Sequence, residues 1–262
     1  MWDPNTPMPH PSASLSPHGL EYSFEQQAYP SDYVNNIAPR HTPPQALHEK
    51  AAFYAVQITR TLFDKATGYG PHCMTEDKWL QRMIFLETVA GVPGIVGGMV
   101  RHLRSLRLMV RDRGWIHTLL EEAENERMHL LTFMRIRKPS GLFRMNVLLA
   151  QGLFCNLYFM FYLFAPKYCH AFVGYLEEEA VKTYTHALED IDSGTGRLPW
   201  ATKAAPEIAK HYWRLRDDAT MRDVILAVRA DEACHSHVNH TLSKLPHEAS
   251  NPFTNKGGGS QA

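Results

Sequence analysis

Two stretches of this chain repeat one spacing. In Asn125-Glu126-Arg127-Met128-His129, and again in Asp231-Glu232-Ala233-Cys234-His235, a glutamate precedes a histidine by three positions. On a helix that spacing sets a carboxylate and an imidazole one turn apart on the same face, so both point at one spot. Glu87, in Leu86-Glu87-Thr88, and Glu177, in Leu176-Glu177-Glu178-Glu179-Ala180, fall on the apolar stripes of two further helical segments. A single Glu-x-x-His arises by chance in many helices. Four carboxylates on core faces do not, because each costs roughly several kcal/mol to bury unless it is paired or bound to a cation. Carboxylate oxygens with few imidazoles suit a hard to borderline ion with open positions, which favours iron or manganese over thiolate-seeking zinc or Cu(I). Asn125 and Asp231 each stand immediately before a motif glutamate, where they are placed to support the imidazoles from behind.

The elements that must position these groups read as helices. Residues 46–65 carry Ala51, Tyr54, Ala55, Ile58, Leu62 and Phe63 near helical spacing, with Lys50, Arg60 and Lys65 off the stripe. Residues 77–108 form a second helix, apolar and interrupted by Gly91, Pro93, Gly94, Gly97 and Gly98; Pro93 is expected to kink it and the small residues to admit a close neighbour. No strand precedes these glycines and their spacing is not that of a nucleotide loop. On residues 115–137, Leu119, Ala123, Glu126, Leu130 and Phe133 share a face. On residues 171–191, Glu177, Ala180, Val181, Tyr184 and Leu188 do so, which selects Glu177 from its acidic neighbours and sets Tyr184 two turns along the same face. Residues 206–215 give a short helix, and Thr220-x-x-Asp223 caps a last one on which Ile225, Val228, Glu232, His235, Asn239 and Leu242 align. One glutamate from each of two helices and Glu-x-x-His from each of two others is the general pattern of ferritin-like di-iron carboxylate bundles. The expected fold is therefore all-α: a ferritin-like four-helix bundle around a di-iron site, spanning residues 46–246.

Residues 145–166 contain no charged side chain and are long enough to cross a bilayer. A crossing would put Glu126 and His129 on one side and Glu177 on the other, and basic residues flank both ends, with Arg144 before and Lys167 after. This helix is therefore expected to lie in one leaflet beside the helix at 46–65, giving two membrane-surface helices; a wholly buried core helix is the alternative.

The 27 basic and 27 acidic residues cancel, and no basic run is interleaved with aromatics, which excludes the footprint of a nucleic-acid binder. Cys73, Cys155, Cys169 and Cys234 form no Cys-x-x-Cys pair and read as free thiols. Residues 1–45 hold nine of the 17 prolines and are expected to form a disordered arm. Asp3, Glu21, Glu25 and Asp32 precede its first arginine, Arg40, unlike a transit peptide. Residues 247–262 read as a flexible tail.

At the four glutamate-bearing segments the sequence resembles the boxes of the mitochondrial alternative oxidases, a likeness that extends over about residues 47–253. The resemblance implies a cyanide-insensitive ubiquinol oxidase that reduces dioxygen to water without pumping protons. It implies a homodimer on the matrix face of the inner mitochondrial membrane with two non-haem iron ions per chain. Glu87, Glu126, His129, Glu177, Glu232 and His235 match the iron ligands. Tyr184 and Trp213 match the tyrosine and tryptophan near the metals. Arg60, Arg82, Leu86, Glu179, Ala180 and Thr183 match positions lining the quinol pocket. The Val89-Ala90-Gly91-Val92-Pro93-Gly94 run resembles mitochondrial more than plastid members, and no cysteine precedes Cys73, a departure from the regulatory disulfide of plant members.

Two rival readings use the same ligands. A di-iron lipid hydroxylase or desaturase needs a separate electron donor, and no flavin or nicotinamide fingerprint accompanies the site. A non-catalytic iron-binding four-helix protein leaves the charge-free helix without a purpose.

Overall fold

The computed structural model describes residues 29–70, 74–195 and 197–253. Cys73, the arm before Tyr29 and the end of the tail lie outside these. The described elements are helical: α1 (Ser31–Asn35), α2 (Leu47–Thr67), α3 (Glu76–Leu108), α4 (Trp115–Ile136), α5 (Gly141–Phe164), α6 (Pro166–Asp192), α7 (Glu207–Tyr212) and α8 (Met221–Lys244). Local chemistry sets several starts. Thr75 accepts from the Lys78 amide at the head of α3, and Ser140 from Phe143 at the head of α5. At α8, Thr220 and Asp223 form the expected capping box, with the Thr220 amide donating to Asp223 Oδ2 at 2.7 Å. Pro93 sits inside α3 without ending it.

Two antiparallel pairs make the bundle. In the first, the Arg137–Asp77 ion pair joins one end of α4 to the start of α3. Further along, a Cβ on Gly94 would lie 2.3 Å from the Leu119 carbonyl oxygen and 2.9 Å from Ala123 Cβ. No side chain fits there, and this contact sets the distance between the segments carrying Glu87 and Glu126. In the second pair, Asp192 meets Arg222 at one end of α6 and α8. Further along α6, a Cβ on Gly174 would come within 2.9 Å of the His240 ring. A core of Trp79, Met128, Phe133, Trp200, Trp213 and Ile225 fills the space around the pairs, each large side chain contributing roughly 1.5–3 kcal/mol by leaving water.

α5 runs along the flank of α3, from Phe143 against Phe85 to Tyr162 beside Gly97. α3 and α5 are both long and apolar enough to cross a membrane, but half of the apolar window is buried in α3 and 11% in α5. Leu149, Leu153, Leu157, Phe161 and Phe164 stand exposed on α5, and Tyr54, Ile58 and Leu62 on α2. α5 is thus not a buried core helix.

Two boundaries differ from expectation. Composition assigns residues 29–45 to a disordered arm, yet this segment packs on the bundle. The Tyr29 hydroxyl donates to Asp231, the Arg229 guanidinium to the Val34 carbonyl at 2.9 Å, and the Thr42 amide to Glu178 at 2.8 Å. The segment docks by satisfying buried polar groups of α6 and α8, which a count of apolar residues does not register. Likewise 247–253 is not loose: Trp115 Nε1 donates to the Ala249 carbonyl and buried Asn251 to Thr118 Oγ1, both at 2.8 Å.

Candidate metal centre

The paired helices turn their polar positions toward one another. Glu87 from α3, Glu126 and His129 from α4, and Glu232 from α8 each place a ligand atom within 4.8 Å of the others, and all four are buried. His129 Nδ1 lies 3.2 Å from Glu87 Oε2 and 3.4 Å from both Glu126 Oε2 and Glu232 Oε1. His235 Nδ1 lies 2.8 Å from Glu126 Oε1 and 3.7 Å from Glu232 Oε2, so Glu126 stands between the two imidazoles. Glu177 is buried on α6 at the edge of this group, beside Glu232.

The electrostatics are those of an anionic pocket. Burial, reinforced by Glu126, holds the Glu87 carboxyl well above its usual range, and burial reinforced by Glu232 does the same to Glu177. Burial opposes ionisation of Glu126 too, but His129 and His235 outweigh it and bring Glu126 below its ordinary value. Burial alone would neutralise the imidazoles; the carboxylates reverse this and raise both. Glu126 Oε1 and Oε2 and Glu232 Oε2 are buried and face the imidazole nitrogens, at 2.8 and 3.4 Å for Glu126 and 3.7 Å for Glu232. Buried carboxylate oxygens arranged in this way fit a cation, with protons on the imidazoles standing in its place. The cluster is a metal site.

Behind it, Asp231 Oδ2 receives Trp213 Nε1 at 2.8 Å, His129 Nε2 at 2.9 Å and Asn125 Nδ2 at 3.0 Å. A carboxylate can only accept, so Nε2 carries a proton and Nδ1 is the nitrogen presented to the cluster. Trp213 also stacks on the His129 ring, with centroids 5.8 Å apart. Asp231 thus holds the histidine of the other motif, and Asn125 bonds to Asp231 and to the Tyr212 hydroxyl. Asp231→Ala is expected to lower metal affinity roughly 10–100-fold while the helical signal persists; isothermal titration of the metal checks this, and unaltered affinity contradicts the role.

Tyr184 is buried and donates its hydroxyl to Glu87 Oε1. Burial and the Glu87 charge hold its phenol well above the ordinary value, so it stays protonated. Arg60, Arg82, Glu179 and Thr183 assemble where α2, α3 and α6 meet. Arg60 Nη1 donates to the Glu179 carbonyl at 3.0 Å, and Thr183 Oγ1 to the same oxygen at 2.9 Å. Arg82 pairs with Asp64 at 2.6 Å and lies 3.9 Å over the Tyr69 ring. Asp64 engages one guanidinium nitrogen, Nη2, while Nε and Nη1 are buried. Burial would raise Glu179, but Lys182 and Gln57 bring it down, so Glu179 is ionised and a weak proton acceptor. Leu86 and Ala180 are half-buried beside Glu87 and Glu179.

Sequence reasoning missed a second polar layer. One turn from Glu126 and His235 stand Glu122 and Asn239, with Asn239 Nδ2 donating to Glu122 Oε2 at 3.0 Å. Asn239 Oδ1 must then accept from His170 Nδ1 at 3.0 Å, which leaves His170 Nε2 to accept the Tyr162 hydroxyl, also at 3.0 Å. Burial brings His170 down to about 4 and pushes Glu122 up to about 7. The i, i+4 spacing of Glu122 with Glu126 was the available signal; nothing in the sequence ties Tyr162 or His170 to them.

A helical bundle closing on buried glutamates and histidines defines a class of metalloproteins whose site is built from carboxylates and imidazoles. Residues 29–244 match the alternative oxidase family. A mitochondrial alternative oxidase of Yarrowia lipolytica is 48% identical over 257 residues, covering 92% of this chain and 72% of the relative. One of Emericella nidulans is 50% identical over 247 residues, covering 89% and 69%. Alternative oxidase 2, mitochondrial, of Candida albicans is 47% identical over 249 residues, covering 89% and 68%. The chain belongs to the alternative oxidase family.

Proposed function

We propose that the cluster holds two non-haem iron ions through Glu87, Glu126, His129, Glu177, Glu232 and His235, and that the chain works as a homodimer in one leaflet of the inner mitochondrial membrane, facing the matrix. The activity follows from family membership: the protein is a ubiquinol oxidase, an oxidoreductase that passes electrons from quinol to dioxygen. The observation that carries the iron assignment is the set of buried carboxylate oxygens converging on His129 Nδ1 and His235 Nδ1. Iron bound there supplies the redox capacity between a two-electron donor and a four-electron acceptor.

The chain's own groups do the rest. Asp231 fixes the His129 tautomer. Tyr184, protonated and hydrogen-bonded to Glu87, can give up an electron only as its proton moves to Glu87 Oε1, which makes it a one-electron reserve beside the ligands. Arg82, buried and paired with Asp64 through Nη2 alone, has further guanidinium hydrogens that suit a quinol oxygen, and Arg60, Glu179 and Thr183 hold the neighbouring wall. Support for leaflet seating is the run of exposed apolar side chains on α5 and α2, which a lipid phase would cover. Support for the mitochondrial address is that these relatives are mitochondrial alternative oxidases.

Oxygen uptake by the purified iron-loaded protein, driven in parallel by a short-chain quinol and by ferrous iron with cyanide present, tests this reading. Sustained uptake with quinol, ending in water, is expected. Uptake with ferrous iron alone would identify an iron-oxidising protein instead.

A further inference from the structure

Tyr184 is not alone in donating a phenol hydroxyl to a buried carboxylate of this centre. Tyr29 donates to Asp231 Oδ1, on the carboxylate whose other oxygen receives Trp213 Nε1 at 2.8 Å and His129 Nε2 at 2.9 Å. The Tyr29 hydroxyl is thus one carboxylate away from a ligand imidazole and from the indole stacked on it. The two phenols differ in what lies behind them. The ring stacked on Tyr184 is Phe133, which has no acidic proton to lose and passes no electron on.

Behind Tyr29 the contacts continue outward through a second phenol. The Tyr29 ring stacks on that of Tyr33, with centroids 5.7 Å apart and planes 27° from parallel. Tyr33 is 40% exposed, and its hydroxyl lies 3.7 Å from Cys234 Sγ. The segment is gripped by α8 at three places, since Arg229 donates to the Val34 carbonyl at 2.9 Å while Asp231 and Cys234 meet the two hydroxyls. Docking alone needs one hydroxyl on Asp231 and nothing more. Tryptophan, tyrosine and tyrosine in a row, from a ligand histidine to water, are the side chains that lose one electron most readily. Such a row has a use here, because dioxygen needs four electrons and a quinol brings two. A late second quinol leaves the oxidised centre to draw on its own surroundings.

We propose that Tyr29 and Tyr33 form a one-electron relay that carries oxidising charge from the His129 and Trp213 edge of the centre to the protein surface when quinol fails to arrive. The inference rests on the ubiquinol-oxidase reading. In the first step Tyr29 gives one electron to the oxidised iron pair and its hydroxyl proton to Asp231 Oδ1. Tyr33 then returns an electron to Tyr29, the proton goes back from Asp231, and the Tyr33 phenol proton leaves to water. A soluble one-electron reductant of the ascorbate class restores the electron at exposed Tyr33, and water restores the proton. Each passage spends one electron of that reductant in place of one from quinol, and no side chain is consumed.

The ferrous, iron-loaded enzyme is mixed with dioxygen in the absence of quinol, with a nitroso spin trap present, and its peptides are mapped by mass spectrometry. The trap should be found on Tyr33 in the unsubstituted protein. Tyr29→Phe keeps the ring that stacks on Tyr33 but removes the hydroxyl, and it should lose the Tyr33 adduct per bound iron. A Tyr29 that only props Asp231 gives a different result: the variant binds less iron and keeps its adduct per iron, which overturns the proposal. Tyr33→Phe leaves the Tyr29 contact with Asp231 in place. It should bind iron normally and inactivate after fewer turnovers when quinol is limiting and dioxygen is not. An unaltered lifetime in that variant, or no adduct on Tyr33 in the unsubstituted protein, also overturns the proposal. No quinol-driven uptake by the unsubstituted enzyme would instead overturn the oxidase reading and the relay with it, so that control tells the two failures apart.

Discussion

Glu126→Ala is expected to yield a folded protein that binds no iron and takes up no oxygen with quinol. Glu126 is the carboxylate between the two imidazoles, with Oε1 at 2.8 Å from His235 Nδ1 and Oε2 at 3.4 Å from His129 Nδ1. Both of its oxygens are buried and turned to the imidazoles, so its removal takes a ligand atom from each side of the cluster. The loss should exceed the roughly 10–100-fold that follows removal of a supporting partner, because here a ligand itself is removed. The α3–α4 contact at Gly94 and the apolar core lie on either side of the change and stay intact. Elemental analysis of the purified variant beside its oxygen uptake checks this; normal iron content with normal turnover would remove Glu126 from the site.

Tyr184→Phe should behave in the opposite way, keeping its iron and losing its turnover. The ring stays, still stacked on Phe133 with centroids 6.3 Å apart, so the core is not opened. Only the hydroxyl on Glu87 Oε1 goes, and with it the group that can release an electron and a proton together. A fall of roughly 100-fold or more in kcat, above about 2.7 kcal/mol of barrier, is expected. Thermal denaturation should show a folded protein, and metal analysis an undiminished iron content. Turnover within a few-fold of the unsubstituted enzyme would exclude the redox role and leave the metal ligands untouched.

Both substitutions concern residues that helical periodicity alone singles out. Glu126, Glu177, Glu232 and His235 stand where a leucine would be expected on their stripes, and they are buried among core side chains. Thr220 and Asp223 likewise announce the start of α8, because a cap is a local bargain between neighbours. What the sequence does not announce is pairing between distant segments. Asp231 was legible as a supporting residue, but not that it would reach across to His129, since that depends on how α8 lies against α4. Tyr29 sits in a proline-rich stretch and docks through one hydroxyl, a contact that composition cannot weigh. Tyr162, His170, Asn239 and Glu122 come from four helices and meet only once the bundle is assembled. Hydropathy could not decide whether α5 is covered by protein or by lipid, because both surroundings favour the same residues; the exposure of Leu149, Leu153 and Phe161 decides against protein within one chain.

The proposed centre is a pair of iron ions held by four glutamates and two histidines. Iron stoichiometry read together with Mössbauer spectroscopy on the purified, fully active protein tests it most directly. Two iron ions per chain, magnetically coupled and rising in proportion to quinol-driven oxygen uptake across partly loaded samples, are predicted. Full turnover at one ion per chain, or in protein without iron, would contradict it.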